Sequence, residues 1–157
     1  MPYGSLRILT TKGSKEHKGK DMDKVVQKRF APIPVESEII GKKVLDAAYG
    51  VHSALGPGLL ESVYEACLAY KLRQQKVIVE TQVVMPVKFE DVQVETGLRL
   101  DLLAGNLVIV EIKSVETMIP LYEAQLLTYL KVTGLRLGYL INFNVFHLKD
   151  GIKRMVN

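Results

Sequence analysis

From Ser37 onward, apolar side chains fall at three- and four-residue intervals: Ile40, Val44, Ala47, Ala48, Val51 and Leu55. That spacing predicts an amphipathic helix with Ser37 as its N-cap, stopped by Gly56-Pro57-Gly58. A second helix is expected from about Leu59 to Gln75, burying Leu60, Tyr64, Leu68 and Leu72, which stand four apart. The period then changes. Val77–Phe89, Val92–Ala104 and Leu107–Val115 are alternating or β-branched runs separated by Glu90-Asp91 and Gly105-Asn106, the pattern of three antiparallel strands. A third helix is expected over Met118–Thr133, with Pro120 in its first turn and Gly134 at its end. It leads into Leu135–Phe143, an almost unbroken apolar run that predicts a strand buried on both faces and parallel to the strand before the helix. A final hairpin around Asp150-Gly151 is expected to join Val145–Leu148 to Ile152–Val156. The order is helix, helix, three-strand meander, helix, strand and hairpin, an α/β fold with a mixed central sheet flanked by helices.

Residues 1–36 depart from this patterning. They mix Lys, Gly, Ser and Pro without a sustained period and read as a flexible basic leader, leaving residues 37–157 as the folded domain. The chain has 157 residues and a net charge of +4, but the charge is unevenly spread. Residues 1–30 carry 8 Lys/Arg against 3 Asp/Glu, and residues 31–157 carry 13 against 14. The basicity therefore belongs to the leader, and the domain itself is close to neutral. No run approaches the roughly 18 apolar residues of a membrane span, and no secretory signal opens the chain, so a soluble, cytoplasmic protein with no membrane partner is expected. The single cysteine, Cys67, sits in a helical apolar pattern and is expected to serve packing, which excludes a disulfide framework and a cysteine-ligated zinc or iron–sulfur site.

Candidate chemistry lies in the third predicted strand. Glu111 and Lys113 are two residues apart, so both leave one face of a strand, while Val110 and Ile112 leave the other. A buried carboxylate and ammonium cost several kcal/mol each unless they pair or meet a metal. Asp101, among Leu98, Leu100, Leu102 and Leu103 on the preceding strand, is placed in an equally apolar run. Whether Asp101 joins Glu111 depends on register. A two-residue turn at Gly105-Asn106 pairs Ala104 with Leu107 and separates the acids, whereas a three-residue loop or one bulge sets Asp101 beside Glu111. The second arrangement is expected, with the carboxylates converging to within roughly 5 Å, a distance at which both can ligate one Mg²⁺ or Mn²⁺. On spacing alone, a minor cross-strand ion pair between Glu111 and Lys113 on an exposed edge fits equally well. His52 and His147 are expected to be structural or surface residues, and the glycine-proline turn lacks the Lys and Ser of a phosphate-binding loop.

Asp101 followed by Glu111-Ile112-Lys113 resembles the D…(D/E)xK signature of the PD-(D/E)xK nuclease superfamily, and the order of elements is similar to its restriction-endonuclease-like αβββαβ core with one extra N-terminal helix. The segment Gly58-Leu59-Leu60-Glu61-Ser62-Val63-Tyr64 resembles the GxxExxY pattern of a family of small proteins assigned to that superfamily. The resemblance implies a metal-dependent nuclease acting on DNA or RNA, with Asp101 and Glu111 as ligands for Mg²⁺ or Mn²⁺. It also implies that Glu61 is the first-helix acid, ligating directly or through water, and that Lys113 is a catalytic residue. Gln125 and Tyr129, four apart on the third helix, resemble a QxxxY motif of exonucleases in the superfamily, and the resemblance implies that they hold water or phosphate and support the site. Leu100 stands where the signature commonly has Pro. Two other readings remain: a non-catalytic nucleic-acid- or protein-binding module on the same scaffold, and a structural subunit whose strand edges make a homodimer.

Overall fold

A computed structural model describes residues 31–157. The expected leader lies outside the described residues up to position 30. Among the described residues nine elements follow one another: α1 (Val35–Leu55), α2 (Glu61–Gln74), β1 (Val79–Phe89), β2 (Val92–Ala104), β3 (Val108–Lys113), α3 (Pro120–Thr133), β4 (Leu137–Asn142), a 3₁₀ turn (Leu148–Gly151) and β5 (Ile152–Val156). The strands form one sheet in the order β1-β2-β3-β4-β5. All neighbours are antiparallel except β3 and β4, which are parallel through α3. The mixed α/β architecture expected from the hydrophobic pattern is the one observed.

The sheet is a middle layer. Val108, Val110 and Ile112 of β3 and Leu137, Tyr139 and Ile141 of β4 pack against α1 and α2, through Val44, Ala47, Ala48, Val51, Tyr64, Leu68 and Leu72. On the opposite face Ile109 and Leu140 pack with Leu126, Tyr129 and Leu130 of α3. With both faces covered, every residue of β4 is buried, which is why its sequence shows no alternation. Gly41 lies where α1 meets the sheet; a Cβ there would stand 3.0 Å from both Leu137 and the Tyr139 hydroxyl. α3 begins at Pro120 and ends at Gly134 in the left-handed region, as its sequence signals require.

Three local expectations are corrected. α1 begins three residues earlier than expected, with Pro34 in place of Ser37 at its N-cap, and Ser37 is a buried residue of its first turn that makes no capping hydrogen bond. Pro34 supplies the break itself, since its fixed φ is compatible with the chain entering a helix. Leu60 is not in the core: α2 begins two residues later than expected, and Leu60 precedes it, 73% exposed. The strand expected over Val145–Leu148 does not form. Residues 144–147 are bends followed by the 3₁₀ turn, and β5 pairs directly with β4, Ile152 opposite Ile141. Two contacts account for this. The carbonyl of Val145 is taken by His52 Nε2 at 2.8 Å, and Gly151 backs onto the Asn142 carbonyl so closely that a Cβ would lie 2.1 Å from it.

Candidate active site

The register of β2 against β3 decides whether the acids meet. Gly105 and Asn106 both have positive φ, 59° and 57°, and Leu107 N–H donates to the Ala104 carbonyl at 3.0 Å. The strands nevertheless pair as Ala104 with Val108, Leu103 with Ile109 and Leu102 with Val110. Leu107 is thus an extra residue, the loop is effectively three residues long, and the next positions in register are Asp101 and Glu111. This is the expected arrangement. Asn tolerates the left-handed region better than most side chains, which lets the turn close before the bulge.

At that next step backbone pairing gives way to side chains. Asp101 N–H donates to Glu111 Oε1 at 3.4 Å, and Ile112 N–H donates to Asp101 Oδ2 at 2.9 Å. Each carboxylate takes an amide that a continued ladder would have given to a carbonyl. β2 also turns over here. Leu98 and Leu100 pack on the α3 side, whereas Leu102 and Ala104 pack on the α1/α2 side, so alternation is interrupted at Asp101. On the neighbouring strand Gln82, with φ of 53°, stands between the pairs Thr81–Leu102 and Val83–Leu100. The local distortion lets Asp101 face the start of α2 while remaining against Glu111.

The electrostatics of the pair are strained. Glu111 is 3% exposed, and its carboxyl is pushed up to about 8, first by burial and then by the negative charge of Asp101. The positive charge of Lys113 offsets only part of this. The Lys113 ammonium instead stands 4.8 Å from the centre of the Tyr122 ring on α3, a cation–π contact. The described residues form ion pairs at Lys42–Asp46, Lys153–Glu123 and Arg154–Glu38, none involving Glu111 or Lys113. A Glu111–Lys113 ion pair is therefore not what occupies this face. Two hard oxygen donors in mutual repulsion, one of them desolvated, fit a divalent cation, whose charge removes the conflict.

Glu61 stands at the first position of α2, exposed, on the rim of a cleft of about 360 Å³ that it shares with Ser62, Glu65, Gln82, Arg99, Asp101 and Ile112. Its Oε1 accepts from Ser114 N–H at 3.1 Å, and Ser114 Oγ donates to the Leu59 carbonyl at 2.5 Å, so the start of α2 is tied to the chain just after Lys113. Among the described residues no three His, Cys, Asp or Glu side chains gather closely enough to hold an ion together. Glu61 thus shares the cleft of Asp101 without closing a three-acid set with Asp101 and Glu111. Glu65 Oε2 accepts from Gln82 Nε2 at 2.5 Å, and burial raises the Glu65 carboxyl.

Gln125 and Tyr129 lie on the α3 side of the sheet. Their side chains bond each other, Gln125 Nε2 donating to the Tyr129 hydroxyl at 2.6 Å, and the Tyr129 ring is buried in the α3 cluster. The Gly58–Tyr64 motif has a structural explanation of its own. Gly58 has φ of 97°, which favours glycine. Tyr64, fully buried, donates to the Gly56 carbonyl at 2.6 Å, accepts from Leu59 N–H at 3.2 Å and stacks on Phe143 with centroids 4.5 Å apart.

Sequence reasoning missed Asn142. It is 2% exposed at the end of β4; its Oδ1 accepts from Val115 N–H and Asn144 N–H, both at 3.1 Å, and its Nδ2 donates to the Val115 carbonyl at 2.9 Å. A single amide side chain ending an apolar run was the available signal. Arg99 and Gln82 were also missed, although Arg99 stands as a charge between Leu98 and Leu100.

A mixed sheet carrying Asp101 on one strand and Glu111-Ile112-Lys113 on the next defines a nuclease-like α/β domain. The family model of the PD-(D/E)XK nuclease superfamily matches residues 38–155, and the chain belongs to that superfamily. Its nucleases generally use divalent metal ions. Comparison with curated proteins and with solved structures returns no match.

Proposed function

We propose that this protein is a metal-dependent nuclease that hydrolyses phosphodiester bonds of DNA or RNA. The observation that carries the reading is the meeting of Asp101 and Glu111 where the β2–β3 ladder opens, with Lys113 next in register on β3. Asp101 and Glu111 would hold Mg²⁺ or Mn²⁺, with Glu61 assisting through water from the rim of the same cleft. The cation supplies Lewis acidity toward a phosphoryl oxygen and eases deprotonation of the attacking water. Lys113 orients that water or stabilises negative charge growing on the phosphate. Gln125 positions water or phosphate from α3, and Tyr129 holds Gln125 in place. A phosphorus–oxygen bond forms to water as the bond to the leaving sugar oxygen breaks, and that oxygen takes up a proton. The likeness of Gly58–Tyr64 to the GxxExxY pattern supports the same assignment.

The near-neutral charge of residues 31–157 favours one rival, a module that keeps the scaffold without catalysis, because gripping many phosphates calls for a basic surface. The test is cleavage of labelled single- and double-stranded DNA and RNA with Mg²⁺ or Mn²⁺ by the wild type, Asp101→Ala and Lys113→Ala. Activity in the wild type that both substitutions abolish supports the nuclease. Equal activity in all three means that the cleavage does not arise at this site. Calorimetric titration with either ion separates the rival, which need not bind one.

A further inference from the structure

A second cleft, of about 480 Å³, opens between the last turns of α1 and the loop 144–149. Among the described residues its lining includes Tyr49, Ser53, Pro57, Phe146, His147 and Lys149 and contains no carboxylate. Asp46, one turn before Tyr49, is paired with Lys42. Phe146 is 90% exposed, the most exposed of the large apolar side chains among the described residues, and Tyr49 is 43% exposed. A large aromatic ring held out in solvent beside a lysine and an imidazole offers a stacking face with cationic and hydrogen-bonding groups next to it. That combination suits a strand whose bases are unpaired and whose backbone is anionic.

The cleft is built onto the candidate active site. β3 and β4 are parallel, so the loop after β4 emerges at the same end of the sheet as Lys113. The Asn142 side chain bonds both Val115, just after that lysine, and Asn144, which opens the loop. The opposite wall, the Gly56–Leu59 turn, is tied to the same segment by Ser114 Oγ donating to the Leu59 carbonyl. His52 fixes the loop from beneath through the Val145 carbonyl at 2.8 Å. Both walls are therefore anchored to the chain that follows Glu111 and Lys113.

We propose that this cleft binds a single-stranded stretch of nucleic acid next to the reaction centre, with a base stacked on Phe146 and backbone phosphate at Lys149 and His147. The substrate class rests on the nuclease reading; the site itself does not. The test is fluorescence anisotropy of the full chain in EDTA, which prevents cleavage, with labelled oligothymidylate and oligouridylate of about 12 nucleotides and a duplex of the same length. Phe146→Ala should weaken single-strand binding roughly five- to a hundredfold, the range for loss of one base–aromatic stack, without moving the melting temperature. Lys149→Ala should flatten the salt dependence by about 0.7 in the log–log slope, the share of one phosphate contact. Phe89→Ala, which removes another exposed ring at the far end of the β1–β2 hairpin, should change nothing. Unchanged binding by Phe146→Ala, an equal loss with Phe89→Ala, equal affinity for the duplex, or no binding of either single strand would overturn the site. Phe146-dependent binding by a wild type that cleaves nothing would uphold it and count against the nuclease reading alone.

Discussion

Glu111→Gln should stabilise the fold at alkaline pH while removing the site's capacity for a cation. The side chain is 3% exposed beside Asp101, and its carboxyl is pushed up from 4.5 to about 8, chiefly by burial. The folded state therefore holds this proton more tightly than the unfolded chain does. Between pH 4.5 and 8 it binds more protons than the unfolded chain, and its stability falls as pH rises through that window. At about 1.4 kcal/mol per pH unit, the loss reaches about 4 kcal/mol by pH 8. Glutamine is nearly isosteric. Its amide oxygen can accept from Asp101 N–H as Glu111 Oε1 does, and its amide nitrogen can donate to the Asp101 carboxylate. Urea unfolding of wild type and variant from pH 5 to pH 8 reads the difference directly. The two should be of similar stability at pH 5, and the variant should be about 4 kcal/mol more stable at pH 8. Added Mg²⁺ should restore the wild type at pH 8 and leave the variant unmoved. Parallel stability profiles across this range would refute the reasoning, because they would mean that ionised Glu111 is well accommodated without a cation.

Other consequences follow from single contacts. Mn²⁺ or Mg²⁺ should raise the wild-type melting temperature in a concentration-dependent way in differential scanning fluorimetry, and Asp101→Ala should abolish the rise; an equal rise in the variant would place ion binding elsewhere. Tyr64→Phe keeps the stack on Phe143 but leaves the Gly56 carbonyl and Leu59 N–H without their partner, and chemical denaturation should show a loss of about 1–2 kcal/mol. Gly151→Ala should cost more than about 2 kcal/mol, since the added carbon meets the Asn142 carbonyl, which is backbone and has little room to yield. A fully folded, wild-type-stable Gly151→Ala protein would show that the turn after β4 is looser than described.

Much of the architecture was legible because burial leaves a periodic trace. Val44, Ala47, Ala48 and Val51 mark one face of α1, and Tyr64, Leu68 and Leu72 mark one face of α2; all are buried. The unbroken run in β4 announced a strand covered on both faces, and Pro120 and Gly134 bounded α3. Residue chemistry also marked the candidate acids, since Asp101 and Glu111 sit in runs too apolar for an unpartnered carboxylate. Local pattern misled where a distant group competed for the backbone. Val145–Leu148 has the composition of a strand, but His52 takes the Val145 carbonyl, and β5 reaches β4 first.

What the chain alone left open was register and the course of β2. Gly105-Asn106 allows two pairings that send Asp101 to opposite faces, and only the folded sheet, with Leu107 as an extra residue, selects the one that sets it against Glu111. The interruption of alternation at Asp101, the cleft with Arg99 and Gln82, and the clamp of Asn142 on Val115 likewise depend on partners from other elements of the chain. Periodicity within one element carries no information about such pairings. They are decided when the layers close on the sheet and each buried amide and carboxylate must find an acceptor or a donor.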